Sequence, residues 1–168
     1  MPKIIENLPQ RLMDEARRQV AESGFSAMTI RTVAKGCGVG VGTVYNYYPS
    51  KEALVASFML DDWKICVASI EDVSVRSKTL EPVLLAIYEK LRMFMGQYDP
   101  IFRDEAAASG YTGSTSRYHA VLRNQLAHPI RKFCRDDFTA EFIAEAVLTL
   151  TVAGKDFDEL KGVLLRIN

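Results

Sequence analysis

The stretch Thr29-Ile-Arg-Thr-Val-Ala-Lys-Gly-Cys-Gly-Val-Gly-Val-Gly-Thr-Val-Tyr-Asn-Tyr-Tyr-Pro-Ser-Lys-Glu-Ala-Leu54 holds two helical segments, each too short to be stable alone. Thr29 is placed to cap the first, which the pattern carries through Lys35. Gly36, Cys37 and Gly38 form the turn, and the second segment spans about Val41 to Tyr47 before Pro49 ends it. Ile30, Val33, Ala34, Val39 and Val44 are spaced to make a small shared core. Two short helices crossing at a glycine-bearing turn, flanked by longer amphipathic helices, are what a helix-turn-helix requires. Val41, Gly42, Thr43, Tyr45, Asn46 and Tyr47 are then left to face outward, an aromatic surface that suits a DNA groove better than plain solvent.

Working outward, a helix is expected from about Asn7, with Pro9 in its first turn, Leu12, Met13, Ala16 and Val20 on its apolar stripe, and Gly24 at its end. On the other side Ser50 caps a long helix from Lys51 to about Ile70, in which Leu54, Phe58, Ile65 and Trp63 decide the buried face. A further helix is expected from about Leu80 to Gln97. Asp99 and Pro100 then open a short one to about Ala108, followed by a Ser/Gly/Thr-rich loop, Ser109 to Ser116. A helix from about Arg117 to Cys134 carries Pro129 as a candidate kink after His128. Thr139 is read as the cap of the next helix, and Phe157 to Ile167 as the last. Strand signals are scarce. The expected fold is all-α, an N-terminal three-helix helix-turn-helix domain over residues 1–55 joined to a C-terminal helical bundle over residues 56–168.

Composition narrows the function classes. Formal net charge is zero, which argues against coating nucleic acid indiscriminately. Residues 1–55 nevertheless hold seven lysines and arginines against five acids, a balance of +2 that leaves −2 for the remainder. No apolar run approaches the roughly 20 residues of a membrane span. Met1 to Leu12 carries Lys3, Glu6 and Pro9 where a secretion signal needs apolar residues, so the chain is expected to be cytoplasmic. Three widely spaced cysteines, Cys37, Cys66 and Cys134, suggest buried thiols rather than disulfides or a metal pair. Gly38, Gly40 and Gly42 are not a phosphate loop, because no strand precedes them and no Lys-Ser/Thr pair closes the run. His119 and His128 lack the helical pairing of a metal site, and no nucleophile elbow, catalytic triad or carboxylate pair in a recognisable setting appears, so neither an enzyme nor a cofactor is expected.

The run Gly38-Val39, then Gly42-Thr43-Val44-Tyr45-Asn46-Tyr47-Tyr48-Pro49-Ser50-Lys51-Glu52-Ala53-Leu54, resembles the DNA-binding domain of the tetracycline repressor (TetR) family over roughly residues 9–60. The resemblance implies a third helix in the major groove, base contacts near Val41 and Gly42, and phosphate contacts from Thr43, Tyr45 and Tyr47, with Asn46 on the same face. It also places Arg31 within reach of a base edge and Lys51 against the backbone. The chemistry agrees: the arginine fork reads guanine, and a valine offers only apolar contact, such as to a thymine methyl. Gly40, where the family usually has a polar cap, Asn46 and Gly36 depart from the pattern, which bears on the operator sequence rather than the fold.

The implied function is a ligand-responsive repressor that binds a palindromic operator in double-stranded DNA as a homodimer. Its small-molecule effector, unidentified, is expected among Phe58, Trp63, Tyr88, Phe94, Tyr98, Phe102, Tyr118 and Leu122, although many such residues in a helical bundle are simply core. The dimer face is expected on the last two helices, at Phe142, Ala146, Leu150, Leu160, Val163 and Ile167. The competing reading is a helical protein-interaction module with no specific operator.

Overall fold

The computed structural model describes residues 6–103 and 115–167 of the 168-residue chain; within these, the side chains of Phe102 and of residues 115–119 are not described. All the regular structure among the described residues is helical. The helices are α1 (Leu8–Ser23), α2 (Ile30–Cys37), α3 (Val41–Tyr45), α4 (Lys51–Arg76), α5 (Glu81–Phe102), α6 (Thr115–Ile130), a 3-10 turn (Arg131–Phe133), α7 (Asp137–Val152) and α8 (Phe157–Leu164).

The chain divides into two compact units. The first runs through Asp62 and takes in the described residues from Asp99 to Arg103; the second contains Trp63–Tyr98 and the C-terminal helices. The expected boundary at residue 55 falls inside α4, one unbroken helix of 26 residues whose first half belongs to the first unit and whose second half belongs to the second.

In the first unit, Leu12, Ala16, Val33, Ala34 and Val44 are sealed from solvent, as the spacing predicts, and Val39 is half-buried. Phe25 and Met28, in the link between α1 and α2, complete that core. Thr29 and Thr32 form a reciprocal capping box: Thr29 Oγ1 accepts from the Thr32 N–H at 3.1 Å, and Thr32 Oγ1 accepts from the Thr29 N–H at 3.1 Å. Gly38 follows α2 with φ of 69°, a left-handed conformation that explains why glycine stands there. Tyr48 is buried and its hydroxyl donates to the Pro9 carbonyl at 3.2 Å, which ties the end of the helix-turn-helix to α1.

In the second unit, Ile70, Leu84, Ile87, Leu126, Ile130, Ile143 and Val147 lie at the centre of one apolar cluster. Several boundaries differ from expectation, each for a local reason. Trp63, not Ile65, faces the core: Trp63 is buried while Ile65 is 69% exposed. α5 runs through Pro100 instead of breaking at Asp99. Pro100 stands in the last turn, where its missing N–H removes a single bond, and the Arg103 N–H still reaches the Asp99 carbonyl at 3.0 Å. α6 ends at Ile130 rather than Cys134, because the Pro129 carbonyl that would bond the next turn accepts instead from the buried Ser74 hydroxyl at 2.7 Å. α7 is capped by Asp136, whose Oδ1 accepts from the Thr139 N–H at 2.6 Å, and Thr139 sits buried inside the first turn. The expected helix to Ala108 and the loop Ser109–Ser116 lie largely outside the described residues.

Candidate nucleic-acid interface

The face presented by α3 is built by subtraction. Val44 is its one fully buried residue, so the helix is pinned through a single side chain and the rest points away from the core. Tyr45 and Tyr47 are 51% and 49% exposed, Val41, Gly42 and Asn46 are exposed as well, and Thr43 is half-buried. α3 ends at Tyr45, two residues earlier than expected, and Asn46 and Tyr47 continue as a turn whose N–H groups return to Gly42 and Val44. The sequence-predicted residues therefore share one surface.

Arg31 and Lys51 join that surface from two other helices. An open groove of about 470 Å³ is lined by Arg31, Val41, Tyr45 and Lys51, together with Thr29 and Glu52, which sequence reasoning passed over. Arg31 is exposed in the first turn of α2 and forms no ion pair with another described residue. A cation there opposes the helix dipole, so its position is not explained by stability and leaves its fork available to a partner outside the chain. Lys51 opens α4, with its Nζ 4.0 Å from the centre of the Phe25 ring and 3.5 Å from the Ser26 carbonyl oxygen. The ring face and the carbonyl hold the ammonium at the edge of the groove. Below it Ser50 caps α4, its Oγ accepting from the Ala53 N–H at 3.1 Å.

The three glycines of the turn separate by role. A Cβ on Gly42 would meet nothing within 4 Å, so packing among the described residues does not require glycine there. Gly40 precedes α3 with no side-chain cap. A Cβ on Gly36 would lie 2.2 Å from Glu15 Oε1, so the residue that departs from the family pattern makes room for a carboxylate. Glu15 is in turn held by Arg18 and Gln19, and the Arg18 hydrogen bond holds its pKa below the ordinary carboxylate range. Cys37 is buried at the end of α2, its thiol donating to the Arg11 carbonyl, and burial pushes its titration upward.

The aromatic residues expected to meet a ligand are dispersed. Phe58 lies in the first unit beneath the Arg17 guanidinium, 5.3 Å from its ring centre. In the second unit Trp63, Phe94 and Tyr98 form a chain of ring contacts at 5.3 and 4.8 Å, and Trp63 Nε1 donates to Gln125 Oε1 at 2.8 Å. Tyr88 stands apart, with its hydroxyl donating to the Lys155 carbonyl and accepting from Arg92, so it serves as a structural tie. Leu122 is half-buried against the core. Phe102 and Tyr118 lie outside the described side chains. Of the expected dimer residues, Phe142 and Val163 are 53% and 62% exposed, and Ala146, Leu150 and Ile167 are half-buried. Leu160 is a correction: it is 3% exposed and packs inside its own unit, because α8 turns that side toward the core. The strongly exposed Phe138, which no pattern singled out, stands on α7 in its place. Among the described residues no helix is long and apolar enough to cross a membrane.

Residues 12–58 match the family described as "Bacterial regulatory proteins, tetR family". The HTH-type transcriptional regulator UidR of Escherichia coli K12 is 31% identical over 62 residues, 37% of this chain and 32% of UidR, so the match spans about a third of that relative's length. The fatty acid metabolism regulator protein of Bacillus subtilis is 25% identical over 89 residues, 52% of this chain and 46% of its own. The fold extends further than the sequence match. The TetR family repressor AlkX from Dietzia sp. superposes with a TM-score of 0.64 at 18% identity, covering 94% of this chain and 93% of its own. Thermus thermophilus FadR, solved in complex with lauroyl-CoA, gives 0.60 at 19% identity over 95% and 92%.

Proposed function

We propose that the chain, whose residues 12–58 match the tetR family of bacterial regulatory proteins, is a ligand-responsive transcriptional repressor binding a two-fold-related operator as a homodimer. The observation that carries the reading is the convergence of Arg31, Val41, Tyr45 and Lys51 from three helices on one open groove. Arg31 reads a base edge, Val41 makes apolar contact beside it, the backbone at Gly42 approaches closely, and Thr43, Tyr45, Tyr47 and Lys51 anchor the phosphates. Its place of work is then the cytoplasm, where that DNA is found. Two-fold symmetry sets the recognition helices about 34 to 36 Å apart, one turn of DNA.

The effector class that fits best is an apolar or amphipathic small molecule beside Trp63, Phe94 and Tyr98. The apolar ring chain and the Trp63–Gln125 hydrogen bond support this, and a protein of the same fold was solved with lauroyl-CoA. α4 carries Lys51 at one end and Trp63 further along, so a ligand that favours one setting of this helix changes the spacing of the DNA-contacting residues. The test is a gel-shift against DNA flanking the protein's own gene over a salt series. A specific operator gives binding at least about a thousandfold tighter than unrelated DNA. Salt-sensitive but sequence-indifferent binding, or none, gives the advantage to a helical protein-interaction module.

A further inference from the structure

A ladder of polar contacts joins α1 to α2 and ends beside Arg31. Arg11, Glu15 and Gln19 follow one another every four residues on one face of α1, and they engage α2 in reverse order. The Arg11 carbonyl accepts from the Cys37 thiol, Glu15 fills the space that a side chain on Gly36 would need, and Gln19 reaches Thr32. The direction of this last rung is set by chemistry. The Glu15 carboxylate, held ionised by Arg18, can only accept, so Gln19 turns its Nε2 toward Glu15 Oε1, at 2.7 Å, and its Oε1 toward the Thr32 hydroxyl, which donates at 2.5 Å.

Stability gives this rung little reason to exist. Thr29 and Thr32 are exposed, and their capping box closes without any residue of α1, so the bond to Gln19 adds little to folding. What it settles is direction. The single proton of the Thr32 hydroxyl has a second oxygen within reach, the Thr29 carbonyl at 2.9 Å, and without Gln19 it turns back into its own helix and releases α1. Arg31 stands between Ile30, which is buried in the core, and Thr32, which is tied to α1. A planar fork that reads one base edge tolerates a displacement of only about half an ångström, so the residues flanking Arg31 decide whether it meets that edge.

We propose that Gln19 is a positioning residue for base reading: through Thr32 it fixes the first turn of α2 so that Arg31 meets one base edge. The inference rests on the reading of Arg31 as a base contact and names what holds that contact in place. Gln19 acts 13 positions away from the residue it grips and itself touches no DNA.

Gel-shifts of the full chain on DNA flanking its own gene, with single base changes across the bound site, test this. Arg31→Ala first marks the position that Arg31 reads. Gln19→Met keeps the length and helix propensity of the side chain and removes both hydrogen bonds. It is expected to lower discrimination at the marked position by about three- to tenfold, with melting, affinity for unrelated DNA and its salt dependence close to the original. Added to Arg31→Ala, it should cost nothing further there, because the group it positions is gone. Thr32→Val should reproduce the loss, and Thr32→Ser, which keeps the hydroxyl, should discriminate like the original. A Gln19→Met variant that weakens all sequences alike, leaves discrimination unchanged, or adds in full to Arg31→Ala overturns the proposal. Should Gln19→Met fold poorly, the two Thr32 variants decide, and equal discrimination by both overturns it. An Arg31→Ala variant with no position-specific effect fails the base-reading role itself and takes the proposal with it, a result distinct from an intact Arg31 effect that Gln19 does not share.

Discussion

The two units use their conspicuous residues in opposite ways. In the first, Tyr45 and Tyr47 stand out in the sequence and remain half exposed; in the second, Trp63, Tyr88 and Tyr98 stand out and are buried. A buried aromatic is explained by the core it fills, whereas Tyr45 at the end of α3 and Tyr47 in the turn after it fill no core. The proposed DNA-contact residues therefore stand on the outside of the helix-turn-helix, whereas the residues proposed to meet an effector in the C-terminal bundle are masked by packing.

The sharpest way to break this contrast uses two residues on one short helix. Leu160→Glu places a charge in the core of the second unit and should cost about 3 to 5 kcal/mol, read as a loss of its cooperative melting. Val163→Glu, three residues on and 62% exposed, should leave stability within about 0.5 kcal/mol while weakening dimers. If Leu160→Glu melts like the original chain, the separation of core from partner face on α8 is wrong.

In the first unit the comparison is between reading and anchoring. Arg31→Ala should cost about 1 to 3 kcal/mol at one operator position and relax the preference there. Lys51→Ala should weaken every sequence alike and lower the salt dependence by about one phosphate contact. Uniform loss across operator variants for Arg31→Ala would remove it from the base-reading set.

How much was legible follows the same divide. The helix-turn-helix could be read because capping, turn and core signals agree within 26 residues: Thr29 caps, Gly38 turns, and Val44 pins the second helix. The groove-lining Glu52 and Thr29 were missed since their side chains have local helical roles that explain them without DNA. In the bundle the signals compete. Periodicity marks Leu160 and Val163 as one stripe, yet only the packing of α8 shows that one is inside and the other outside. The Pro129 break was visible, but its outcome depended on Ser74, 55 positions away, accepting the role of donor to the freed carbonyl. Asp136 outcompeted Thr139 as a cap because Thr139 was needed inside the turn.

Coupling between the units gives a smaller effect. Trp63 is the chain's one tryptophan, so its fluorescence reports on its own surroundings. An apolar or amphipathic compound that binds the proposed effector site is expected to quench it, and saturating operator should weaken that binding by the factor with which the ligand weakens DNA binding, typically about 1 to 3 kcal/mol. Quenching with equal affinity in both conditions would leave two independent sites.

The smallest expected change separates stability from function at one residue. Gly42 lies in α3 with ordinary helical φ, and a methyl group there meets no atom of the chain within 4 Å. Replacing it with alanine removes backbone freedom from the unfolded chain and improves helix propensity, so Gly42→Ala should stabilise the first unit by about 0.5 to 1 kcal/mol, seen as a higher melting temperature. The same methyl group occupies the space through which the backbone would approach a base pair, so operator affinity should fall while binding to unrelated DNA, carried by Lys51 and the phosphate contacts, changes little. Opposite signs in melting and in specific binding identify a residue kept for its partner at the expense of its own helix. A variant that melts higher and binds its operator as tightly as before would mean that α3 meets DNA through its side chains alone, and that the open space above Gly42 faces water in the complex.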